Sequence, residues 1–179
     1  MDLRTKLSER IHIKDILVTL HQVQENTLLR EELYRLIFDK EDTISYQALW
    51  MCTHFREAEI AWLSGKQNEL IDAALVCSHT GKRRLILSLI YQQPASDPPR
   101  VDFLDFCMEH MMSREEPPAI QALCIKLCYE LTRNIPELQQ ELRLLLEMLE
   151  PDMVSPAQRS ALRNTLKAIK VETSKRKNR

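Results

Sequence analysis

Glycine is nearly absent from this chain, which has two, Gly65 and Gly81, among 179 residues. Average usage is roughly 7%. Tight hairpins and nucleotide-binding turns draw on glycine for positive φ, so a strand-rich fold or a phosphate-cradling loop is excluded as a main theme. An excess of charge of one sign is missing too. Charged residues make up 28% of the chain, yet the formal net charge is -1. A balanced surface of this kind supplies no general attraction to nucleic acid or anionic membrane. Long apolar runs are lacking, and no stretch approaches the length of a membrane span. The segment MDLRTKLSERIH has no apolar core of the signal-peptide kind, from which a cytoplasmic protein is expected. Cys-x-x-Cys pairs are missing as well. Cys52, Cys77, Cys107, Cys124 and Cys128 form an odd set, each among apolar neighbours, as reduced core thiols are.

What is abundant is Leu, Glu, Lys, Arg and Ala, the strong helix formers. A 3.6-residue apolar period predicts helices over 27–39, 43–55, 67–78, 81–92, 100–112, 117–133, 136–149 and 156–170. One or two more are expected in residues 1–25, where Ile16, Leu17, Leu20 and Val23 form an apolar stripe. A short helix or turn is expected over 56–65. Ser155-Pro-Ala-Gln158 and Asn134-Ile-Pro-Glu137 read as capping boxes with proline in the first turn, where its missing N–H costs nothing. The expected organisation is one helical domain over residues 1–170. A basic, disordered tail over 171–179, with Lys175, Arg176, Lys177 and Arg179, follows it.

The helices echo one another. Gln47-Ala48-Leu49 recurs as Gln121-Ala122-Leu123, Arg83-Arg84-Leu85 fills the same place between them, and Ser160-Ala161-Leu162 follows. Glu32-Leu33, Glu69-Leu70 and Glu137-Leu138 repeat more weakly in the preceding helices. The spacing implies a helix pair recurring about every 34–40 residues, the period of stacked two-helix repeats. A non-repetitive helical bundle would satisfy the same periodicity.

On these residues the chain resembles the HEAT and armadillo type of repeat over roughly 27–170. The resemblance implies an all-α fold, an α–α superhelix of stacked antiparallel helix pairs. The aspartate and glycine of that family's clearest repeats are mostly missing here. A narrower likeness is to short bacterial helical proteins labelled adenylosuccinate lyase. It implies no lyase chemistry, because that enzyme family's Ser-Ser-x-Met-Pro-x-Lys-x-Asn loop does not occur in this chain.

Candidate chemistry is sparse. In HTGKRRLIL the Gly81-Lys82 pair invites a Walker reading. That loop needs a glycine five residues earlier and a hydroxyl after the lysine. Val76 and Arg83 stand in those places. Thr80 reads instead as an N-cap, which puts Lys82, Arg83 and Arg84 in a first turn whose dipole disfavours cations. Such a cluster is either salt-bridged structure or a site for an acidic partner. Arg84, which falls where Ala48 and Ala122 stand, is the one of the three expected to be structural. Tyr46, Trp50 and His54 form a line along one helix beside its core stripe. They read either as packing against the next repeat or as binding anchors. Cys107 with His110, and Cys52 near His54, lack the spacing of a four-ligand zinc set. No metal, cofactor or catalytic residue is expected.

The leading functional reading is a non-enzymatic scaffold that binds a protein or peptide on its concave face. Its candidate binding residues are Lys82, Arg83, Arg84, Arg159, Arg163, Tyr46, Trp50 and His54. The alternative, implied by fold analogy, is nucleic-acid binding in the manner of HEAT-like DNA glycosylases of alkylation repair.

Overall fold

A computed structural model describes residues 2–9 and 11–177, with Lys177 described in its backbone only. Every regular element among the described residues is helical. The chain divides after Gln93 into two compact units, Met1–Gln93 and Pro94–Arg179. The sequence reading expects a single domain there.

The first unit holds α1 (Leu3–Ser8), α2 (Ile13–Glu25), α3 (Thr27–Leu36), α4 (Asp42–Cys52), α5 (Glu57–Ser64), α6 (Gln67–Val76) and α7 (Thr80–Tyr91). Helices α3 and α4 pack as one pair and α6 and α7 as another, while α4 also meets α1 and α7. Its core comes from the apolar faces the periodicity marks: Leu3, Leu7, Ile16, Leu33, Ile44, Leu49, Met51, Leu63, Leu70, Ile71 and Leu87 are all buried. Each such side chain contributes about 1.5–3 kcal/mol on leaving water. Asn26 ends one helix and starts the next. Its N–H donates to the Gln22 carbonyl, and its Oδ1 accepts from the N–H groups of Leu28 and Leu29 at 2.9 and 3.3 Å.

The second unit holds α8 (Val101–Met112), α9 (Pro118–Thr132), α10 (Pro136–Glu147) and α11 (Pro156–Lys177), with a 3-10 turn at Pro151–Met153. Helix α9 is its centre and packs on α8, α10 and α11. Phe103, Cys107, Met111, Ile120, Cys124, Ile125, Cys128, Leu142, Leu146 and Leu162 are buried.

Local start signals fare unevenly. Pro136 and Pro156 open their helices as expected, and Pro118 opens α9 in the same way. The Ser155 hydroxyl accepts from the Gln158 N–H at 3.2 Å. The Asn134 box does not form. Ile135 is the N-cap of α10, and the Asn134 amide instead donates to Asp97 at 3.0 Å. The N-cap of α7 is His79 rather than Thr80.

Helix α11 runs to Lys177, where the sequence reading has a frayed tail from residue 171. Two side chains hold it. The Glu172 carboxylate accepts from Tyr129 at 2.7 Å, Arg133 at 3.0 Å and Gln139 at 2.8 Å. Arg176 donates to the Gln139 side chain at 3.0 Å and to the Arg133 carbonyl at 2.6 Å. Burial opposes ionisation of Glu172, and its hydrogen bonds with the Arg133 charge outweigh that, so its carboxyl sits below the ordinary glutamate range. Arg179 lies outside the described residues.

The repeated polar position has one mechanical role in three helices. Gln47 donates to the carbonyls of Leu7 (3.1 Å) and Glu9 (2.5 Å), at the end of α1. Arg83 donates to the Cys77 carbonyl at the end of α6, from Nε at 3.0 Å and Nη2 at 2.6 Å. Gln121 donates to the Ser113 carbonyl at the end of α8, at 2.6 Å. The last carbonyls of a helix have no partner within it, and a long donor on a neighbouring helix supplies one. Ser160 is too short to reach, and Gln158 serves nearby by donating to the Met111 carbonyl at 3.0 Å.

Candidate functional site

The repeat geometry answers part of the question posed by Lys82, Arg83 and Arg84. Arg83 is committed to the Cys77 carbonyl. Lys82 Nζ lies 2.7 Å from Asp42 Oδ1, so α7 supplies a cation to an acid in the first turn of α4. That hydrogen bond and the lysine charge hold the Asp42 carboxyl below its ordinary range. Arg84 is half-buried, whereas its register equivalents Ala48 and Ala122 are buried. Within the cluster it is Lys82 and Arg83 that are tied into the fold, whereas the sequence singles out Arg84 as the structural member.

Gly81 serves a close approach. A Cβ there would stand 3.0 Å from His79 Cε1 and 3.2 Å from Tyr46 Cε2. The helix start can therefore press against both rings. The His79 ring accepts from the Lys82 N–H at 3.2 Å and lies 6.4 Å, centroid to centroid, from Tyr46.

These contacts form one wall of a groove of about 780 Å³ within the first unit. Its lining comes from the entry to α2 (Ile11, His12, Ile13), from α4 (Asp42, Thr43, Tyr46, Gln47, Trp50) and from His79. The floor is aromatic and half-exposed. Tyr46 and Trp50 sit one turn apart on α4 while Ile44, Ala48 and Leu49 go to the core. Neither the Tyr46 hydroxyl nor the Trp50 indole N–H is hydrogen-bonded to a described residue. Gln47 divides its functions: its amide reaches the α1 carbonyls, and its Oε1 accepts from the Ile11 N–H at 3.0 Å. That single side chain positions the segment bearing Ile11, His12 and Ile13 against α4.

His54 does not line the groove. Its Nδ1 stands 2.9 Å from the Trp50 carbonyl, and its ring meets the Trp50 ring edge-on at 5.9 Å. It braces Trp50 from one turn below. Sequence reasoning missed His12, Asp42, Thr43 and His79. His79 carried a signal, since it directly precedes the Thr-Gly start of α7.

Arg159 and Arg163 belong to the second unit. Together with Pro156, Ser160 and Asn164 they line a hollow of about 310 Å³ at the start of α11. Arg159 Nη2 reaches the Val154 carbonyl at 3.4 Å, and its Nε is buried without a partner.

The thiols behave as core. Cys52, Cys107, Cys124 and Cys128 are buried and Cys77 is half-buried, all unpaired. Burial pushes the Cys52 thiol up. Cys107 is pushed up by burial and by the neighbouring Cys124 and Cys128 thiols. Among the described residues no group of His, Cys, Asp or Glu is arranged to hold a metal ion. None of the described helices is long and apolar enough to cross a membrane.

A family model described as HEAT repeat domain matches residues 3–169. Comparison with curated proteins and with solved structures finds no match.

Proposed function

Because the chain belongs to the HEAT repeat domain family, typically non-enzymatic scaffolds that commonly mediate protein interactions, we propose that it is a cytoplasmic scaffold. It binds a peptide segment of another protein on the face lined by the second helices of its pairs. The observation that carries this reading is the α4 groove. Tyr46 and Trp50 form an apolar floor with an O–H and an N–H left for an incoming carbonyl. Aromatic anchors of this type supply large contact area at little conformational cost. His12, His79 and the Asp42–Lys82 pair give a polar rim. The five unpaired cysteines, four of them buried, suit the cytoplasm.

Nucleic-acid binding is the weaker reading in this unit. It comes from fold analogy, and of the cations in this unit that could meet phosphates, Lys82 is paired with Asp42 while Arg83 holds the Cys77 carbonyl.

Peptide-library selection against the purified protein tests the proposal. Selected peptides should lose binding by about tenfold or more with Trp50→Ala, and by less with Trp50→Phe, which keeps an aromatic ring and loses the N–H. Peptides that bind Trp50→Ala and Tyr46→Ala as tightly as the parent would refute it.

A further inference from the structure

Helix α11 carries seven basic residues and a single acid, Glu172, and that acid is consumed by Tyr129, Arg133 and Gln139. Four of the cations fall on one face. Arg159, Arg163, Lys167 and Lys170 are separated by four, four and three residues, which keeps them within about one quarter of the helix circumference. At a rise of ~1.5 Å per residue the stripe is roughly 16 Å long. Arg163, Lys167 and Lys170 are exposed. None of the four is ion-paired with a described residue, although α10, packed on α11, exposes Glu137, Glu141 and Glu147.

At the N-terminal end the stripe opens into the hollow lined by Arg159, Ser160, Arg163 and Asn164. There Arg159 Nε is shut off from water and donates to nothing. A buried donor left without an acceptor is destabilising. A carboxylate entering the hollow would reach a guanidinium, a hydroxyl and an amide.

We infer that this face of α11 binds a short acidic polypeptide segment whose carboxylates recur at helical-turn spacing. The site is in the other unit from the α4 groove and does not depend on that groove being occupied. Charge complementarity names the ligand, and two features favour a short peptide over nucleic acid. Helix α11 has no aromatic residue on which a base could stack, and stacking platforms are the usual device for single strands. The neighbouring α10 exposes Glu137 and Glu141 without an ion-pair partner among the described residues, while Glu147 is paired with Arg143, so a long polyanion overrunning the stripe onto those two carboxylates meets repulsion.

The test is fluorescence anisotropy with a dye-labelled peptide of about 14 residues, Ala-based, with Glu at i, i+4, i+8 and i+11. The sequence-scrambled peptide and a duplex DNA of about 20 base pairs are the other two probes. The full chain should bind the Glu peptide and release it as salt rises. Arg163→Glu with Lys167→Glu should weaken binding by about tenfold or more, since like charges replace attraction. Arg163→Ala with Lys167→Ala, which cannot introduce repulsion within the fold, should weaken it in the same direction. Trp50→Ala should leave this binding unchanged, so failure here is distinguishable from failure of the groove. Absence of peptide binding overturns the proposal, as does equal binding by the double-Ala variant. Tighter binding of DNA than of the peptide, lost in the same variants, overturns it in favour of a nucleic-acid surface.

Discussion

Replacing Gln47 by methionine would separate the repeat position's structural role from its volume, because the two side chains are nearly isosteric. Three hydrogen bonds disappear. Gln47 Oε1 no longer accepts from the Ile11 N–H, and Nε2 no longer serves the carbonyls of Leu7 and Glu9. The bonds to Ile11 and Leu7 are buried, while the Glu9 contact is part-buried. An unsatisfied buried group costs about 1–3 kcal/mol, so two of them place the loss at about 3 kcal/mol. Gln121→Met is the internal reference. It removes one part-buried bond, to the Ser113 carbonyl, and should cost about 1 kcal/mol.

The difference of about 2 kcal/mol corresponds to roughly 10 °C in the melting of a unit this size. Urea unfolding followed by far-UV circular dichroism reads it, and hydrogen exchange localises it. The Ile11 amide should lose its protection in Gln47→Met. The amides of α1 should follow, since a helix of six residues cannot persist undocked. If Gln47→Met costs no more than Gln121→Met, or leaves Ile11 protected, the interpretation of this position as a helix-end clasp is wrong.

Arg83→Ala should destabilise the first unit by about 1–2 kcal/mol through the orphaned Cys77 carbonyl, with Arg84→Ala near 0.5 kcal/mol or less; thermal melts of the two variants check the order. Native thiol labelling should be fast at no more than one site, the half-buried Cys77, and reach the other four only on unfolding; rapid native reaction at Cys124 or Cys128 contradicts their assignment to the core. The Glu172 carboxyl is depressed in the folded state, so its contribution is present above the ordinary glutamate range and is lost as pH falls through the depressed value; Glu172→Gln should flatten the acid side of the second unit's stability profile. Tyr129, which donates to Glu172, is pushed up to about 12 by burial and that acceptor, so its phenolate should appear in an alkaline absorbance titration well after that of free tyrosine. Stability held by the neutral hydroxyl is complete below the ordinary tyrosine value and drains away between there and about 12.

The helices were legible because their cause is local. A stripe of apolar residues at 3.6 spacing, with proline in the first turn, locates α9 within a residue at each end: 117–133 expected, Pro118–Thr132 found. What escaped depends on partners distant in sequence. Nothing near Lys170 announces that Glu172 will find Tyr129 and that Arg176 will find the end of α9. Asn134 had the spacing of a capping box, yet Asp97 offered its amide a partner across the unit. In the groove, Tyr46 and Trp50 could be proposed from spacing on one helix. His12 and Asp42 could not, and His79 could be marked only as a residue at the start of α7, because three separate segments bring them together.

The clasp residues also explain which side chains are left at the positions beside them. A donor directed at the end of a neighbouring helix fixes the rotation of its own helix, and so fixes which positions face outward. The residue before the clasp and the one three beyond it share a side of the helix. In α4 these are Tyr46 and Trp50, both half-exposed. In α9 they are Ile120 and Cys124, both buried. In α7 they are Lys82, paired with Asp42, and Ile86, buried. In α11, where Ser160 holds the position, they are Arg159 and Arg163. The same two register positions are therefore aromatic in one helix, closed in two, and cationic in the last. A repeat architecture with few identities can thus keep the clasp in three helices, and shift it by two residues in the fourth, while the chemistry of the outward positions beside it changes.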